Sequence, residues 1–462
     1  MNFDEKIESM KKDIIKSTKE IVKIRSVKDE PQEGMPFGKG INECLEYALK
    51  LAEDFGFKTK NFDGYAGHAE FGEGDEVVGI LVHLDVVPEG EGWTYPPYNG
   101  EIHDDKIYGR GTIDDKGPAI ATMYAMKAIK DSGAKINKKI RIIFGTDEES
   151  GWGGINYYLK HEKAPNVAFT PDADFPAIHG EKGILIFDLV KKFKPNQKDD
   201  GVQVLKIKGG NRPNMVPDYC EAHIISSEPI KEKLDTYAKE NNVKIEIAKE
   251  GKTTVIKSYG ISAHGSLPES GQNAISQLIL FLSTLDLADG DAADFIRAYS
   301  EKIGMEYYGQ SIGCGFEDED SGKLIFNVGV IDFDETKAKV SINIRYPITC
   351  KESQVFDGMK KELEGTGIEI IKGQHMEPIY LPKDHELIKT LMKVYREVTG
   401  DDREPITIGG GTYARAMENA VAFGPLFPGQ PELAHQKDEF IGIDDLMKIT
   451  KIYAKALYEL AK

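Results

Sequence analysis

Gly79-Ile80-Leu81-Val82-His83-Leu84-Asp85-Val86-Val87-Pro88 is an apolar run broken by a histidine and an aspartate two residues apart. A strand places residues i and i+2 on one face. One strand end can therefore present an imidazole with a carboxylate beside it. A metal-binding histidine is built this way, its other ring nitrogen held by an acid. A buried strand with a stray polar pair fits the same letters, and this segment alone leaves both readings open.

Val77–Val87 is one of several buried-strand runs. Lys139–Gly145 is a second and Val167–Thr170 a third. Between them, Pro118–Lys130 is rich in Ala, Met and Ile and reads as a helix. Residues 4–25 carry a helical stripe of Ile7, Met10, Ile14, Ile21 and Val22. Residues 40–55 repeat that period with Ile41, Cys44, Leu45, Ala48, Leu51, Ala52 and Phe55, and Gly56 closes the helix. Strands alternating with helices predict an α/β domain with a mainly parallel sheet, whose ligands bind at the carboxyl ends of the strands.

After about residue 182 the pattern changes. A strand–helix–strand unit occurs at Glu221–Ser226, Pro229–Lys239 and Val243–Ala248. A similar one occurs at Lys339–Arg345, Glu352–Glu364 and Ile368–Ile371. Duplication and chance likeness of a common unit both fit. From about residue 378 the first pattern returns, with helices at His385–Val398 and 443–460. The predicted architecture is a catalytic α/β domain (1–181 and 378–462) interrupted by an α+β lid domain (182–377).

The 462 residues suffice for two or three domains with sizeable cores. A net charge of −18 argues against a nucleic-acid partner, which needs a basic stripe. No apolar run approaches the roughly 18 residues of a membrane span. The polar start Met1-Asn2-Phe3-Asp4-Glu5-Lys6 holds no signal-peptide core, so a cytoplasmic protein without a membrane partner is expected. Cys44, Cys220, Cys314 and Cys350 are scattered and read as free thiols, mostly buried.

Four further segments carry acids or a histidine near strand ends. Tyr108-Gly109-Arg110-Gly111-Thr112-Ile113-Asp114-Asp115-Lys116-Gly117-Pro118 sets two acids before a helix, where an ordinary N-cap is the alternative. Gly145-Thr146-Asp147-Glu148-Glu149-Ser150-Gly151 places three acids after a buried strand; they repel unless a cation or solvent compensates. Thr170-Pro171-Asp172-Ala173-Asp174-Phe175-Pro176 is a Pro-Asp turn or a ligand loop. Leu433-Ala434-His435-Gln436-Lys437-Asp438-Glu439 offers a histidine in a polar loop. Together these segments supply nitrogen and carboxylate donors without thiolates, which suits Zn²⁺, Mn²⁺ or Co²⁺. So many carboxylates suit two ions, one carboxylate bridging.

In this order the segments from His83 to Pro88, Gly109 to Gly117, Asp147 to Gly151 and Thr170 to Pro176 resemble the dizinc amidohydrolase superfamily of aminoacylase, carboxypeptidase G and succinyl-diaminopimelate desuccinylase. Within it the chain is most similar to the peptidase-V-type dipeptidases, Xaa-His or carnosinase-like, over nearly its whole length. The resemblance implies that His83 and Asp172 bind one metal ion and that Glu149 and His435 bind a second. Asp114 would bridge both ions. Asp85 would orient His83, and Glu148 would be the general base for a metal-activated water. A cis peptide bond between Asp114 and Asp115 is also implied.

In Ser262-Ala263-His264-Gly265-Ser266, His264 matches the family's lid histidine, which would bind the oxyanion. Asn214 and Arg345 look like substrate clamps, Arg345 for a C-terminal carboxylate. Gly409-Gly410-Gly411-Thr412-Tyr413-Ala414-Arg415 resembles a glycine-rich substrate loop, with Gly410, Gly411 and Thr412 toward substrate. Without the resemblance, His264 reads as an exposed loop residue, Asn214 as a turn residue and Arg345 as a strand-end arginine.

The expected function is a metal-dependent dipeptidase that cleaves unblocked dipeptides, with two divalent ions, Zn²⁺ foremost and Mn²⁺ or Co²⁺ as alternatives. An N-acyl amino acid deacylase or desuccinylase is the alternative on the same centre. A non-catalytic metal-binding protein is the alternative of another class. The doubled lid unit suggests an internal imitation of a dimer, so a monomer is expected.

Overall fold

The computed structural model describes residues 3–194, 201–250 and 253–462. The chain divides into two compact units. The first comprises Met1–His179, Leu381–Ile406 and Gly411–Lys462, and the second Gly180–Tyr380 and Thr407–Gly410.

In the first unit, neighbouring strands run in the order Lys58–Phe62, Ala66–Phe71, Lys139–Gly145, Val77–His83, Val167–Thr170 and Ala420–Ala422. The last four are mutually parallel, and the first two join antiparallel at one side. The architecture is thus α/β with a mainly parallel sheet. Val77–His83 is buried at every position, which accounts for its unbroken apolar run. Helices Lys116–Asp131 and Ile443–Ala461 pack on each other and on this strand. Helices Lys39–Asp54 and Gly153–His161 pack on Ala66–Phe71. Gly117 lets the first turn of its helix sit against the preceding loop, because a Cβ there would lie 2.1 Å from the Thr112 carbonyl oxygen.

Most helix and strand expectations shift only at their ends, but two differ in kind. The stripe at residues 4–25 is two helices, Asp4–Ser9 and Lys11–Val22, separated at Met10. Met1 and Asn2 lie outside the described residues. The strand read as Val77–Val87 ends at His83: the Leu84 N–H still donates to Gly145 O, but the Val86 N–H turns to Ser26 O.

The second unit is built on an antiparallel eight-stranded sheet. Its order is Lys244–Glu250, Thr253–Tyr259, Tyr219–Ile225, Gln203–Gly209, Ile325–Phe333, Lys337–Tyr346, Gly183–Lys192 and Glu369–Met376. Both strand–helix–strand units lie in it. One uses Tyr219–Ile225, helix Lys231–Asn241 and Lys244–Glu250. The other uses Lys337–Tyr346, helix Glu352–Leu363 and Glu369–Met376. In each, the two strands flank a third, and the outer one forms a sheet edge. The two halves of the sheet therefore share one layout about the central pair Gln203–Gly209 and Ile325–Phe333.

Candidate metal centre

Parallel pairing aligns His83 with Gly145, so the C-terminal ends of these two strands lie at one edge of the sheet. His83 is the last residue of its strand. The Asp147–Glu149 turn directly follows Lys139–Gly145, and Asp172 stands two residues after Val167–Thr170. The loop bearing Asp114 precedes helix Lys116–Asp131, and the peptide bond between Asp114 and Asp115 is cis. All five proposed ligands belong to this unit.

His83 is fully buried. Its Nδ1 lies 3.0 Å from the Asp85 carbonyl oxygen, an acceptor, so Nδ1 carries a proton. Nε2 is 2.9 Å from Asp114 Oδ1 and 3.8 Å from Asp172 Oδ2, yet makes no aligned hydrogen bond. A neutral imidazole would here point a lone pair at two carboxylates. Burial opposes a charge on His83, but Asp114 and Asp172 outweigh it and hold its pKa well above the usual histidine value. Either an imidazolium or a cation between the groups removes the conflict.

Asp114 faces two imidazoles, with Oδ2 3.1 Å from His435 Nε2. His435 Nε2 is also 3.1 Å from Glu149 Oε1. Against its burial, the His435 and His83 imidazoles beside it hold the Asp114 pKa low. The hydrogen bonds to Asp114 and Glu149 push His435 up to about 11. Burial and Asp114 push Glu149 up to about 6, and burial with Asp114 also raises Asp172. Burial chiefly, with Asp172 and Glu149, holds Glu148 well above the usual carboxylate range. These carboxylates outnumber the imidazoles that could neutralise them.

Donor atoms of His83, Asp114 and Glu149 all lie within 4.8 Å of one another, as do those of His83, Glu148 and Asp172. A cavity of about 110 Å³ borders Asp114 and Asp172. The unbonded Nε2 of His83 and the nitrogen–oxygen donor set fit divalent ions. His83, Asp114, Glu149, Asp172 and His435 would hold them.

Asp85 does more than stand beside His83. Its carboxylate accepts the N–H groups of Glu148 and Glu149, each at 3.1 Å, while Oδ1 is 3.7 Å from His83 Nδ1. The nearer partner of His83 is therefore the Asp85 carbonyl, and the carboxylate fixes the turn that carries the two glutamates. Asp147 leaves the centre altogether: Lys28 Nζ lies 2.6 Å from its Oδ1, and the Gly153 N–H donates to its Oδ2.

Asp115, read as a possible helix cap, makes no side-chain cap bond; its Oδ2 accepts the His83 N–H at 3.1 Å. Glu439, which the sequence did not single out, is fully buried. It accepts the N–H groups of Gly111, Ile113 and Asp114 and pairs with Arg110. Its one sequence signal is an acid four residues beyond His435.

The proposed substrate residues divide between the units. Asn214, His264, Arg345 and Gly410 belong to the second, and Gly411 and Thr412 to the first. Asn214 and His264 come together, because the Gly265 N–H donates to Asn214 O and His264 bridges to Met215. His264 Nδ1 is 2.6 Å from Ser266 Oγ. Arg345 is buried, its Nε donating to Asn343 and its Nη1 to Gly409 O. Thr412 Oγ1 accepts the Ala414 N–H and caps the short turn Tyr413–Ala416.

The chain is similar to known proteins over its full length. A Bacillus subtilis relative carrying the name "Putative dipeptidase YtjP" is 43% identical over 467 aligned positions, covering 100% of both chains. The crystal structure of human carnosine dipeptidase 1 shares the fold, with a TM-score of 0.60, 15% identity and coverage of 99% of this chain and 98% of that one. The Bacillus subtilis YXEP protein, described as a dinuclear metal binding peptidase, aligns with a TM-score of 0.50 and 11% identity over 98% of this chain and 99% of its own. The model of peptidase family M20/M25/M40 matches residues 79–459. The chain belongs to this family and is a metallopeptidase.

Proposed function

We propose that the protein is a dipeptidase that hydrolyses unblocked dipeptides with two divalent ions, Zn²⁺ foremost. The observation that carries the two-ion reading is Asp114, with one carboxylate oxygen turned to His83 and the other to His435. The name carried by the Bacillus subtilis relative supports a dipeptide substrate. When bound, such ions polarise the scissile carbonyl and make water a nucleophile at neutral pH.

The chain's own groups do the rest. Asp85 holds the backbone of Glu148 and Glu149, so these neighbours diverge. Glu149 reaches His435, while Glu148 lies among His83 and Asp172. There Glu148 serves as the base that takes the water proton and returns a proton to the leaving amine. Asn214, His264, Arg345, Gly410, Gly411 and Thr412 are proposed to bind substrate, His264 at the oxyanion. A cytoplasmic monomer completes the reading. Its supports are the twice-used strand layout of the second unit and the want, among the described residues, of a helix long and apolar enough to cross a membrane. Sedimentation showing an obligate dimer whose dissociation abolishes activity would overturn the monomer.

A panel of unblocked dipeptides and N-acyl amino acids tests the substrate class. Turnover of the free dipeptides is expected. Turnover confined to acylated substrates would establish the deacylase alternative instead.

A further inference from the structure

Two loops meet outside the ring of proposed ligands. One, residues 109–114, ends at Asp114. The other, residues 435–439, begins at His435. They are joined by a buried ion pair whose atoms touch both backbones. Arg110 Nη1 lies 2.7 Å from Glu439 Oε2 and also donates to the Gln436 carbonyl at 3.1 Å. Glu439 Oε1 accepts the N–H groups of Gly111 at 3.0 Å, Ile113 at 2.9 Å and Asp114 at 3.4 Å. The Gly109 N–H donates to the Glu439 carbonyl at 2.9 Å. Arg110 is 2% exposed and Glu439 0%, and the guanidinium carbon lies 5.2 Å from the centre of the Trp93 ring.

A buried ion pair is weak evidence for stability, since desolvation offsets most of the attraction. Here its bonds end on the backbone N–H of one proposed ligand and on the carbonyl next to the other. His435 also has a φ of +64°, in the left-handed region that non-glycine residues seldom adopt without support. Its loop is held from both sides: Asp438 accepts from the N–H and hydroxyl of Thr94, and Glu439 is gripped by the Asp114 loop.

We propose that Arg110 and Glu439 are positioning residues that fix the separation of Asp114 from His435 and so set the affinity for the divalent ion held by Glu149 and His435. The pair touches neither substrate nor ion; it acts through the two loops. This rests on the two-ion reading above.

The test is Co²⁺ titration of the chelated full-length protein, followed by calorimetry and by the visible absorption of each bound equivalent. Glu439→Gln replaces one accepting oxygen with a donor that faces N–H groups. Arg110→Lys keeps the charge but removes the planar guanidinium whose Nη1 donates to both Glu439 and Gln436. Each should weaken one of the two Co²⁺ equivalents by about tenfold to a hundredfold, the range for groups that orient metal ligands. The absorption of that equivalent should change, and the other equivalent, which shares only Asp114 with it, should be weakened less. The melting temperature of the chelated variants separates this from a general loss of fold.

Both equivalents binding as in the unsubstituted protein, even with a lowered melting temperature, would reduce the pair to a structural role and overturn the proposal. If Glu439→Gln does not fold, Arg110→Lys decides alone. An unsubstituted protein that takes up fewer than two equivalents would overturn the two-ion reading and this proposal together. Two equivalents with dipeptide turnover, unaltered in the variants, would overturn this proposal only.

Discussion

Asp85→Asn is a small change with a calculable consequence. The Asp85 carboxylate accepts two backbone N–H groups at 3.1 Å, those of Glu148 and Glu149, and is buried. Asparagine keeps one accepting oxygen and turns an amide NH₂ toward the other N–H. A hydrogen bond to a charged acceptor contributes about 1.5–3 kcal/mol, and the donor left facing a donor adds to the loss. The loss falls on the turn that aims the proposed base and one proposed ligand. Expressed in the transition state, where about 1.4 kcal/mol is tenfold, it lowers kcat roughly 10- to 150-fold. The assay is steady-state hydrolysis of an unblocked dipeptide at saturating divalent ion, with metal content measured alongside. KM should change little, because no contact to the substrate is removed. An Asn variant with full metal content and unaltered kcat would refute the idea that this carboxylate sets the glutamates.

Glu148→Gln should lower kcat by about 10²–10⁴, the range for a lost general base, with metal content intact; retained turnover would remove Glu148 from that role. His68 gives a pH prediction away from the metal centre. It is buried, its Nδ1 is 2.9 Å from Tyr158 Oη, and burial first, then Arg141, lowers its pKa to about 4. The unfolded chain, with a value near 6.5, then binds more protons between these limits. Stability from this residue is complete above pH ~6.5 and is lost as the pH falls toward 4, by roughly 3 kcal/mol. His68→Gln should flatten the denaturation midpoint against pH in that window; an unchanged slope would contradict the assignment. Gly117→Ala should lower the melting temperature sharply, since its Cβ would meet a backbone oxygen at 2.1 Å. A midpoint equal to that of the unsubstituted protein would show that the loop can yield.

The parallel core was legible because buried strands need continuous apolar runs. Lys139–Gly145 and Val167–Thr170 fall where their letters place them. Edge strands follow no such rule. The expected strand Ile368–Ile371 overlaps only the start of Glu369–Met376, which runs on through Lys372, Gln374 and His375, mostly exposed, and so escapes an apolar count. The break at Met10 has no Gly or Pro to announce it.

At the metal centre, each proposed ligand was readable as a polar residue beside a buried strand or in a loop. The groups that hold them were harder to find. Asp85 reaches residues 63 and 64 positions away, and Glu439 reaches Asp114 across 325. Such contacts leave no local period. A buried acid in the polar stretch Gln436-Lys437-Asp438-Glu439 looks the same as a solvated one.

The most direct test of the central claim is to titrate the chelated protein with Zn²⁺, Mn²⁺ or Co²⁺ while following hydrolysis of an unblocked dipeptide. Turnover should be absent without metal and should rise to a plateau at two ions per chain. Full turnover in the chelated protein, or a plateau at one ion, would contradict that claim.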